Sequence, residues 1–197
     1  ILNPSNVQDI LDFGLYGISL SRYSGCWVGM KCIIDNIDTS ATVLVDPARV
    51  IICKPQDFEF PKDGLHIRWP DPPVEQENRL LHHKTSAALA FVRANQLNRV
   101  TMGGPKCRFG IIATGKTYLD VLQALNDLGI EDDQAQDIGL KLLKIAMPWP
   151  LEKQVIRDFA EDLGEILVVE EKRSVMENQI KEQLYNWRAD VRPRVVG

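Results

Sequence analysis

An apolar run followed by an amphipathic segment stands near the middle of the chain. Phe109 to Ala113 is short and almost continuously apolar, as expected of a strand covered on both faces in a parallel sheet. Apolar side chains then recur at helical spacing, at Tyr118, Val121, Leu122, Leu125 and Leu128. Gly129 follows where a left-handed C-terminal cap belongs, and Thr117 and Asp120 are candidates for framing the helix start. The pattern predicts a strand, a turn of two or three residues and a helix.

The same alternation of strand and helix patterns continues to the end of the chain. Apolar runs typical of buried strands cover 140–146 and 166–169, and helical patterns cover 132–138 and 151–163. Ser174 and Glu177 form a capping box that predicts a last helix, and Arg194 to Gly197 looks like the opening of a further strand. Strands that alternate with helices predict a three-layer α/β fold with a mainly parallel sheet.

The beginning of the chain has an incomplete pattern of the same kind. A helix is predicted from about Asn6 to Ser21, with Ser5 and Gln8 as its capping box, and Cys26 to Ile34 and Ala41 to Val45 are predicted strands. A helix followed by strands without a leading strand is an incomplete α/β layer. We therefore expect residues 1–53 to be the partial end of a second α/β domain, and both chain ends to be cuts inside a longer polypeptide.

A proline-rich stretch separates these two α/β pieces. Cys53 to Pro73 lacks periodicity, so it is predicted to be a rigid connector that Trp69 and Arg68 anchor, with a binding loop as the alternative. Val74 to Leu97 then has the pattern of a long helix with Leu81 facing inward. The expected organisation is a connector and helix over residues 54–104 and a C-terminal α/β domain over residues 105–197.

Composition and charge narrow the classes of function. A net charge of −4 and a pI near 5.4, without a basic stripe, argue against binding to nucleic acid. The sequence contains no apolar run long enough for a membrane span and opens with no signal-peptide pattern, which predicts a cytoplasmic protein without a membrane partner. The four cysteines lack the spacing of zinc or iron–sulfur sites, so we expect buried thiols.

One short motif suggests a competing function. The stretch from Gly110 to Thr117 has the spacing of a phosphate-binding loop, in which Gly110, Gly115, Lys116 and Thr117 would bind a nucleotide. If Ile111 to Ala113 form the strand, however, too few residues remain to enclose a phosphate chain. A P-loop-like nucleotide-binding protein therefore stays as the alternative, and a simpler interpretation makes Lys116 a contact to an anion or a partner.

Polar and aromatic residues follow each of the three predicted parallel strands. Since the carboxyl ends of parallel strands share one edge of a sheet, where open α/β folds bind ligands, we expect these residues to meet at one interface or ligand edge. The candidate residues are Thr114, Gly115, Lys116, Thr117, Pro148, Trp149, Glu170, Glu171, Lys172 and Arg173.

Five stretches, taken in order along the chain, carry a resemblance to a known family. They are Leu20 to Val28, Ile67 to Pro73, Gly110 to Gly115, Met147 to Pro150 and Val168 to Arg173. Together they resemble the long indolepyruvate ferredoxin oxidoreductases over essentially the whole chain. Lys116 and Thr117 depart from the family pattern, in which a small residue usually follows that glycine, and this departure makes the phosphate-loop spacing a local accident.

The resemblance implies a fold and a function. Residues 1–53 resemble the end of a pyrimidine-binding domain, and residues from 105 onward resemble the transketolase C-terminal-like domain. The parent protein is then an oxidoreductase that decarboxylates 2-oxoacids with thiamine diphosphate, magnesium, iron–sulfur clusters and coenzyme A, and that reduces ferredoxin as a homodimer.

Within that parent protein, the resemblance implies a non-catalytic structural and assembly segment whose partners are the other domains of the same polypeptide. The magnesium–diphosphate motif, Gly-Asp-Gly followed by Asn, does not occur in this sequence. We therefore expect no catalytic, cofactor-binding or metal-binding residue here, and no cofactor bound to the segment. A free-standing α/β interaction module remains a third interpretation.

Overall fold

The computed structural model describes residues 1–69 and 71–197, and its centre is a five-stranded sheet. The strands are β1 (Arg99–Met102), β2 (Phe109–Thr114), β3 (Leu140–Ile145), β4 (Glu165–Val169) and β5 (Arg194–Val196). Their order across the sheet is β1-β3-β2-β4-β5. The pairs β2–β3, β2–β4 and β4–β5 are parallel, so the predicted mainly parallel sheet is confirmed.

Helices cover both faces of this sheet. In the C-terminal half they are α5 (Lys116–Asp127), α6 (Asp132–Ile138), α7 (Lys153–Ala160) and α8 (Met176–Leu184). Apolar side chains of α5 and α6 pack with Ile111, Ala113 and Leu142 on one face, while those of α7 and α8 pack with Ile112 and Leu143 on the other. This alternation of neighbouring strand residues between two cores gives the three-layer α/β arrangement that the sequence predicts.

The edge strand β1 is absent from the sequence-based prediction. It runs antiparallel to β3, with Arg99 opposite Lys144, and three of its four residues are exposed. A four-residue edge strand of this kind has little apolar patterning, so only its pairing with β3 reveals it.

The predicted strands in residues 26–45 are wrong. Leu2 and Met30 form a single parallel bridge, and Ile34–Ile37 is a short helix, α2. Trp27 is 95% exposed, although an apolar run predicted it to be buried. A strand needs neighbouring strands for its backbone groups, and here the neighbour of Met30 is only the short segment around Leu2.

The first helix, α1, spans Val7–Ser24, so its existence is confirmed and its cap is corrected. The Asn6 side chain accepts a hydrogen bond from the Asp9 nitrogen, and the Asp9 carboxylate accepts one from the Ser5 nitrogen, 2.9 Å in each case. The capping pair is therefore shifted by one residue from the predicted pair of Ser5 and Gln8.

The connector and the following helix also differ in detail from the prediction. Residues 53–69 contain no helix or strand, as expected. Trp69 is 90% exposed, so it does not anchor them as predicted. Pro70 lies outside the described residues. The long helix consists of α3 (Pro73–Arg79), a π-helical turn (Leu80–Lys84) and α4 (Thr85–Ala94). Leu81, predicted to face inward, is 61% exposed, because the π-helical turn changes which residues face the core.

A buried ion pair joins the N-terminal helix to the sheet. The Lys144 Nζ atom of β3 donates to Asp9 Oδ2 of α1 at 2.6 Å, and both residues are at least nine-tenths buried. The Lys144 ammonium also lies 4.8 Å from the centre of the Tyr118 ring. Burial lowers the pKa of Lys144, while Asp9 acts in the opposite direction. Residues 1–36 are thus packed on the C-terminal sheet rather than tethered to it.

No helix within residues 1–69 and 71–197 combines the length and the apolar character that crossing a membrane requires.

Asp9→Asn should destabilise the chain strongly, because Lys144 then stays buried without its ionised partner. We expect the free energy of unfolding, measured by urea denaturation, to fall by about 3–5 kcal/mol. The double variant Asp9→Asn/Lys144→Met is the control, since it removes both charges together, keeps a side-chain oxygen at position 9 for the Ser5 nitrogen and should stay close to wild type. A loss below about 0.5 kcal/mol in Asp9→Asn would show that the ion pair does not secure this contact.

Candidate functional site

A cleft of about 220 Å³ opens at the carboxyl ends of β2, β3 and β4. Seven of the ten predicted site residues line it: Thr114, Lys116, Pro148, Trp149, Glu170, Glu171 and Arg173. The other three predicted residues, Gly115, Thr117 and Lys172, lie beside the cleft in sequence without lining it. The structure therefore brings most of the predicted strand-end residues together around one space, as the shared edge of parallel strands requires.

The N-terminal segment contributes residues that the sequence analysis missed. Ile1, Asn3, Lys31 and Ile33 also line the cleft. The Asn3 backbone nitrogen donates to the Ala146 carbonyl at 2.8 Å, which places its side chain over the end of β2. No local pattern marks these residues, because their position depends on how α1 packs against the sheet.

Side chains of the chain itself fill the position directly above β2. The Asn3 Nδ2 atom donates to Thr114 Oγ1 at 3.2 Å, and Thr114 Oγ1 donates to the Ile145 carbonyl at 2.7 Å. A Cβ atom on Gly115 would lie 2.6 Å from the Asn3 side chain, and Gly115 has a φ of +56°. Glycine is therefore required at position 115 by a close contact and by its backbone conformation.

The phosphate-loop spacing does not produce a phosphate loop. Ile111, Ile112 and Ala113 belong to β2, so they do not form an open loop between the two glycines. A Cβ atom on Gly110 would lie 2.6 Å from Leu163, which explains the first glycine by packing against the region around α7. The nucleotide-binding alternative therefore lacks the loop that its chemistry needs.

The charged end of the same motif is also engaged within the protein. Lys116 forms an ion pair with Asp120 one turn later, and this contact raises the pKa of Lys116. The Thr117 Oγ1 atom lies 2.8 Å from the Thr114 carbonyl and 2.9 Å from that of Val169. Thr117 thus connects the ends of β2 and β4, and Gly115 rather than a Thr117–Asp120 box occupies the N-cap position of α5.

The acidic pair after β4 has two different structural roles. Glu170 accepts hydrogen bonds from the Met176 and Glu177 nitrogens, at 2.9 Å and 3.1 Å, and so caps α8 in place of the predicted Ser174. Its negative charge lies at the positive end of that helix. Glu171 pairs with Lys31 at 3.4 Å, which joins the end of β4 to the N-terminal segment.

The corner after β3 forms the aromatic wall of the cleft. Trp149 is 59% exposed, while its carbonyl accepts a hydrogen bond from the Ile1 nitrogen at 2.8 Å. The Pro148 carbonyl accepts one from Gln179 Nε2, also at 2.8 Å. The corner is fixed from both sides, and the indole remains available for contact.

Three charged side chains of the cleft have partners within the chain. Lys31 pairs with Glu171, Lys116 pairs with Asp120, and Glu170 caps α8. Across residues 1–69 and 71–197 the structure shows no group of three or more His, Cys, Asp or Glu side chains arranged to hold a metal ion. The cleft thus combines internally paired charges with the exposed indole ring of Trp149.

Comparison with known proteins gives two kinds of match. A family profile described as the indolepyruvate ferredoxin oxidoreductase middle domain matches residues 98–197. The indolepyruvate oxidoreductase subunit IorA of Methanothermobacter thermautotrophicus is 27% identical over 186 residues, covering 91% of this chain and 27% of that protein. The IorA subunit of Pyrococcus horikoshii is 37% identical over 186 residues, covering 92% of this chain and 27% of that protein.

A solved structure matches part of the chain. The 2-oxoglutarate:ferredoxin oxidoreductase of Magnetococcus marinus is 14% identical, with a TM-score of 0.41, over 71% of this chain and 22% of that chain. The present chain spans about a quarter of the length of the curated relatives that it matches. Because the profile match covers just over half of the 197 residues, the chain belongs to the indolepyruvate ferredoxin oxidoreductase family.

Proposed function

We propose that this chain is a non-catalytic structural and assembly segment of a cytoplasmic indolepyruvate (2-oxoacid):ferredoxin oxidoreductase. In this proposal the parent enzyme decarboxylates 2-oxoacids oxidatively with coenzyme A, reduces ferredoxin and works as a homodimer. Thiamine diphosphate, magnesium and the iron–sulfur clusters belong to its other domains. The observation that carries the proposal is the concentration of exposed, large apolar side chains in the N-terminal half of the chain.

Helix α1 has two apolar faces. Phe13 and Leu20 are buried against the rest of the chain, as a surface helix requires. Leu11, Leu15 and Ile18 are 44%, 52% and 56% exposed, and their spacing of four and three residues places them on one side of the helix. A stripe of this kind is typical of a helix that packs against a second partner.

The segment after α1, in which α2 is a helix of only four residues, also exposes large apolar side chains. Trp27, Ile34, Val45 and Ile51 are 95%, 75%, 80% and 72% exposed. Single exposed apolar residues are ordinary, but many large ones in one short segment mark an interaction surface. In the proposed parent enzyme, the remaining parts of the polypeptide cover this surface.

The contacts between the two halves of the chain support an assembly role. The Asp9–Lys144, Asn3–Thr114 and Lys31–Glu171 contacts fix the N-terminal segment on the sheet. A partner that packs on the exposed face of α1 is thereby held at a defined position relative to the middle domain. This is the property that a segment joining domains needs.

The residues of this chain do not fit the cofactors of the proposed parent enzyme. Cys32 and Cys53 are exposed, whereas Cys107 is buried, with its Sγ atom 3.1 Å from the Gly104 carbonyl and 3.3 Å from that of Leu140. An iron–sulfur cluster requires several thiolates around one centre. At the end of β2, the Asn3 side chain occupies the space next to Gly115. We therefore assign no step of the reaction to these residues.

The purified chain should not oxidise 2-oxoacids. We expect no reduction of methyl viologen when the chain is given indolepyruvate, coenzyme A, thiamine diphosphate and magnesium, whereas the parent polypeptide assembled with its clusters should reduce it. The chain must show a cooperative thermal unfolding transition, so that inactivity is not caused by misfolding. Turnover by the chain itself would refute the non-catalytic role.

Leu15→Gln and Ile18→Gln should lower the stability of the parent polypeptide and leave the stability of the isolated chain nearly unchanged. In the chain these side chains are exposed, so the free energy of unfolding should change by less than about 0.5 kcal/mol. In the parent polypeptide each substitution should cost about 1–2 kcal/mol, because buried apolar contacts are lost. Leu128→Gln is the matched control, since Leu128 is 73% exposed at the end of α5 and should be neutral in both. Equal effects in chain and parent would argue against a covered interface.

The wild-type chain should bind nucleotide only at background level, and Lys116→Ala should not lower this binding. Equilibrium dialysis with labelled ATP and magnesium measures this directly, and Lys172→Ala is a control lysine at the same edge of the sheet. The expected result follows from the strand conformation of Ile111 to Ala113, which leaves no loop for phosphates. Binding by wild type that disappears in Lys116→Ala alone would instead establish the nucleotide-binding alternative.

A further inference from the structure

The part of the connector next to α3 projects from the body of the protein. We call residues 63–69 and 71–81 the arm. Helix α3 has no buried residue, and its contacts are mainly with the π-helical turn that continues it. At the tip, Ile67 is 64% exposed and Trp69 is 90% exposed. In this position the Trp69 side chain buries little of its surface against its own chain.

A network of charged side chains nevertheless gives the tip a defined shape. The Arg68 Nε atom donates to Asp71 Oδ2 at 2.9 Å, and Arg68 Nη1 donates to Asp63 Oδ2 at 2.5 Å. The Asp71 nitrogen also donates to the Arg68 carbonyl at 3.0 Å, so backbone and side-chain contacts join the same two residues. Trp69 follows Arg68 directly and lies next to these contacts.

A second arginine connects the turn to helix α3. Arg79 donates to the Gly64 carbonyl and to Asp63 Oδ2, both at 2.5 Å. Gln76 Nε2 donates to the Asp71 carbonyl at 2.7 Å. The hydrogen bond from Arg79 lowers the pKa of Asp63 to about 2.

The base of the arm is attached firmly to the body. Leu65 is 1% exposed, and the buried Lys84 donates to the Gly25 carbonyl, at the end of α1, at 3.2 Å. Nearby, the Phe60 and Tyr23 rings lie 5.1 Å apart in an edge-to-face arrangement. The arm is thus fixed at its base and braced near its tip, so Trp69 stands beside residues that hydrogen bonds hold in place.

Such preorganisation favours binding. Ordering a loop in advance removes part of the entropy cost of association, and tryptophan is among the residues that contribute most at interfaces. An exposed tryptophan that follows an arginine held by two carboxylates therefore has the properties of an interface anchor.

Charge indicates what kind of surface would receive the arm. Glu75 and Glu77 on α3 are exposed, and within residues 1–69 and 71–197 neither carboxylate has an ion-pair or hydrogen-bond partner. Val74 and Leu81 on the same helical segment are 74% and 61% exposed. A complementary surface combines an apolar pocket for the indole with basic side chains facing the two glutamates.

We propose that the arm docks into an apolar pocket bordered by basic side chains on another part of the same polypeptide. The inference rests on the proposed function, in which this chain is one segment of a longer enzyme. The chain spans only 27% of the length of each of two relatives, so most of the parent polypeptide lies outside it and is available as the partner. The exposed apolar residues of α1 and of residues 27–52 belong to the same half of the chain.

Photocrosslinking in the parent polypeptide tests the proposal. p-Benzoylphenylalanine replaces Trp69, and cross-linked peptides are identified by mass spectrometry after irradiation. We expect links from the peptide containing position 69 to a segment outside these 197 residues, in a species with the mass of one polypeptide. Links to a second polypeptide, or only to residues of this chain, would overturn the proposal.

Two controls keep the experiment decisive. The same photoreactive residue at Phe60 should link to the region of Tyr23, so its success together with no link from position 69 would also refute the docking. Glu75→Lys/Glu77→Lys should reduce the yield at position 69 about tenfold if the receiving surface is basic, whereas Glu182→Lys on α8 should not change it. Viologen reduction by the parent protein tests the proposed function separately. An active enzyme without the cross-link would refute the docking of the arm and leave the proposed function standing.

Discussion

The buried Lys144 ammonium is the constraint on which the arrangement of the two halves depends. It lies in the sheet beside Tyr118, with Asp9 of α1 as its ionised partner at 2.6 Å. A charge in this environment is costly without a partner, so α1 must stay where Asp9 reaches it. Neighbouring contacts complete the joint. Leu2 pairs with Met30, the Asn3 nitrogen donates to the Ala146 carbonyl, and Lys31 forms an ion pair with Glu171.

This joint leaves helix α1 with two faces in different surroundings. One face of α1 is fixed to the middle domain, while the other face, with Leu15 and Ile18, remains exposed. The strand-end cleft is likewise built from internal contacts, since Asn3, Glu170 and Lys116 are each engaged within the chain. These three polar groups are thus used for contacts within the chain.

The candidate site was predicted in part, for a reason that belongs to parallel sheets. Residues after β2, β3 and β4 meet at one edge whatever the rest of the chain does, so Thr114, Trp149 and Glu171 were predicted correctly to lie together. The caps were predicted less well. Glu170 caps α8 from six residues away, and Ser174 does not, because capping depends on where the chain turns after β4.

The sequence by itself determined the three-layer α/β fold, four of the five strands and the family resemblance. These follow from local periodicity and from motifs that are read along the chain. The tertiary structure alone decided that residues 26–45 are not strands, that β1 pairs with β3 and that Trp69 is exposed. In each case the outcome depends on which distant segment is available as a partner, and a local pattern of apolar residues carries no information about that partner.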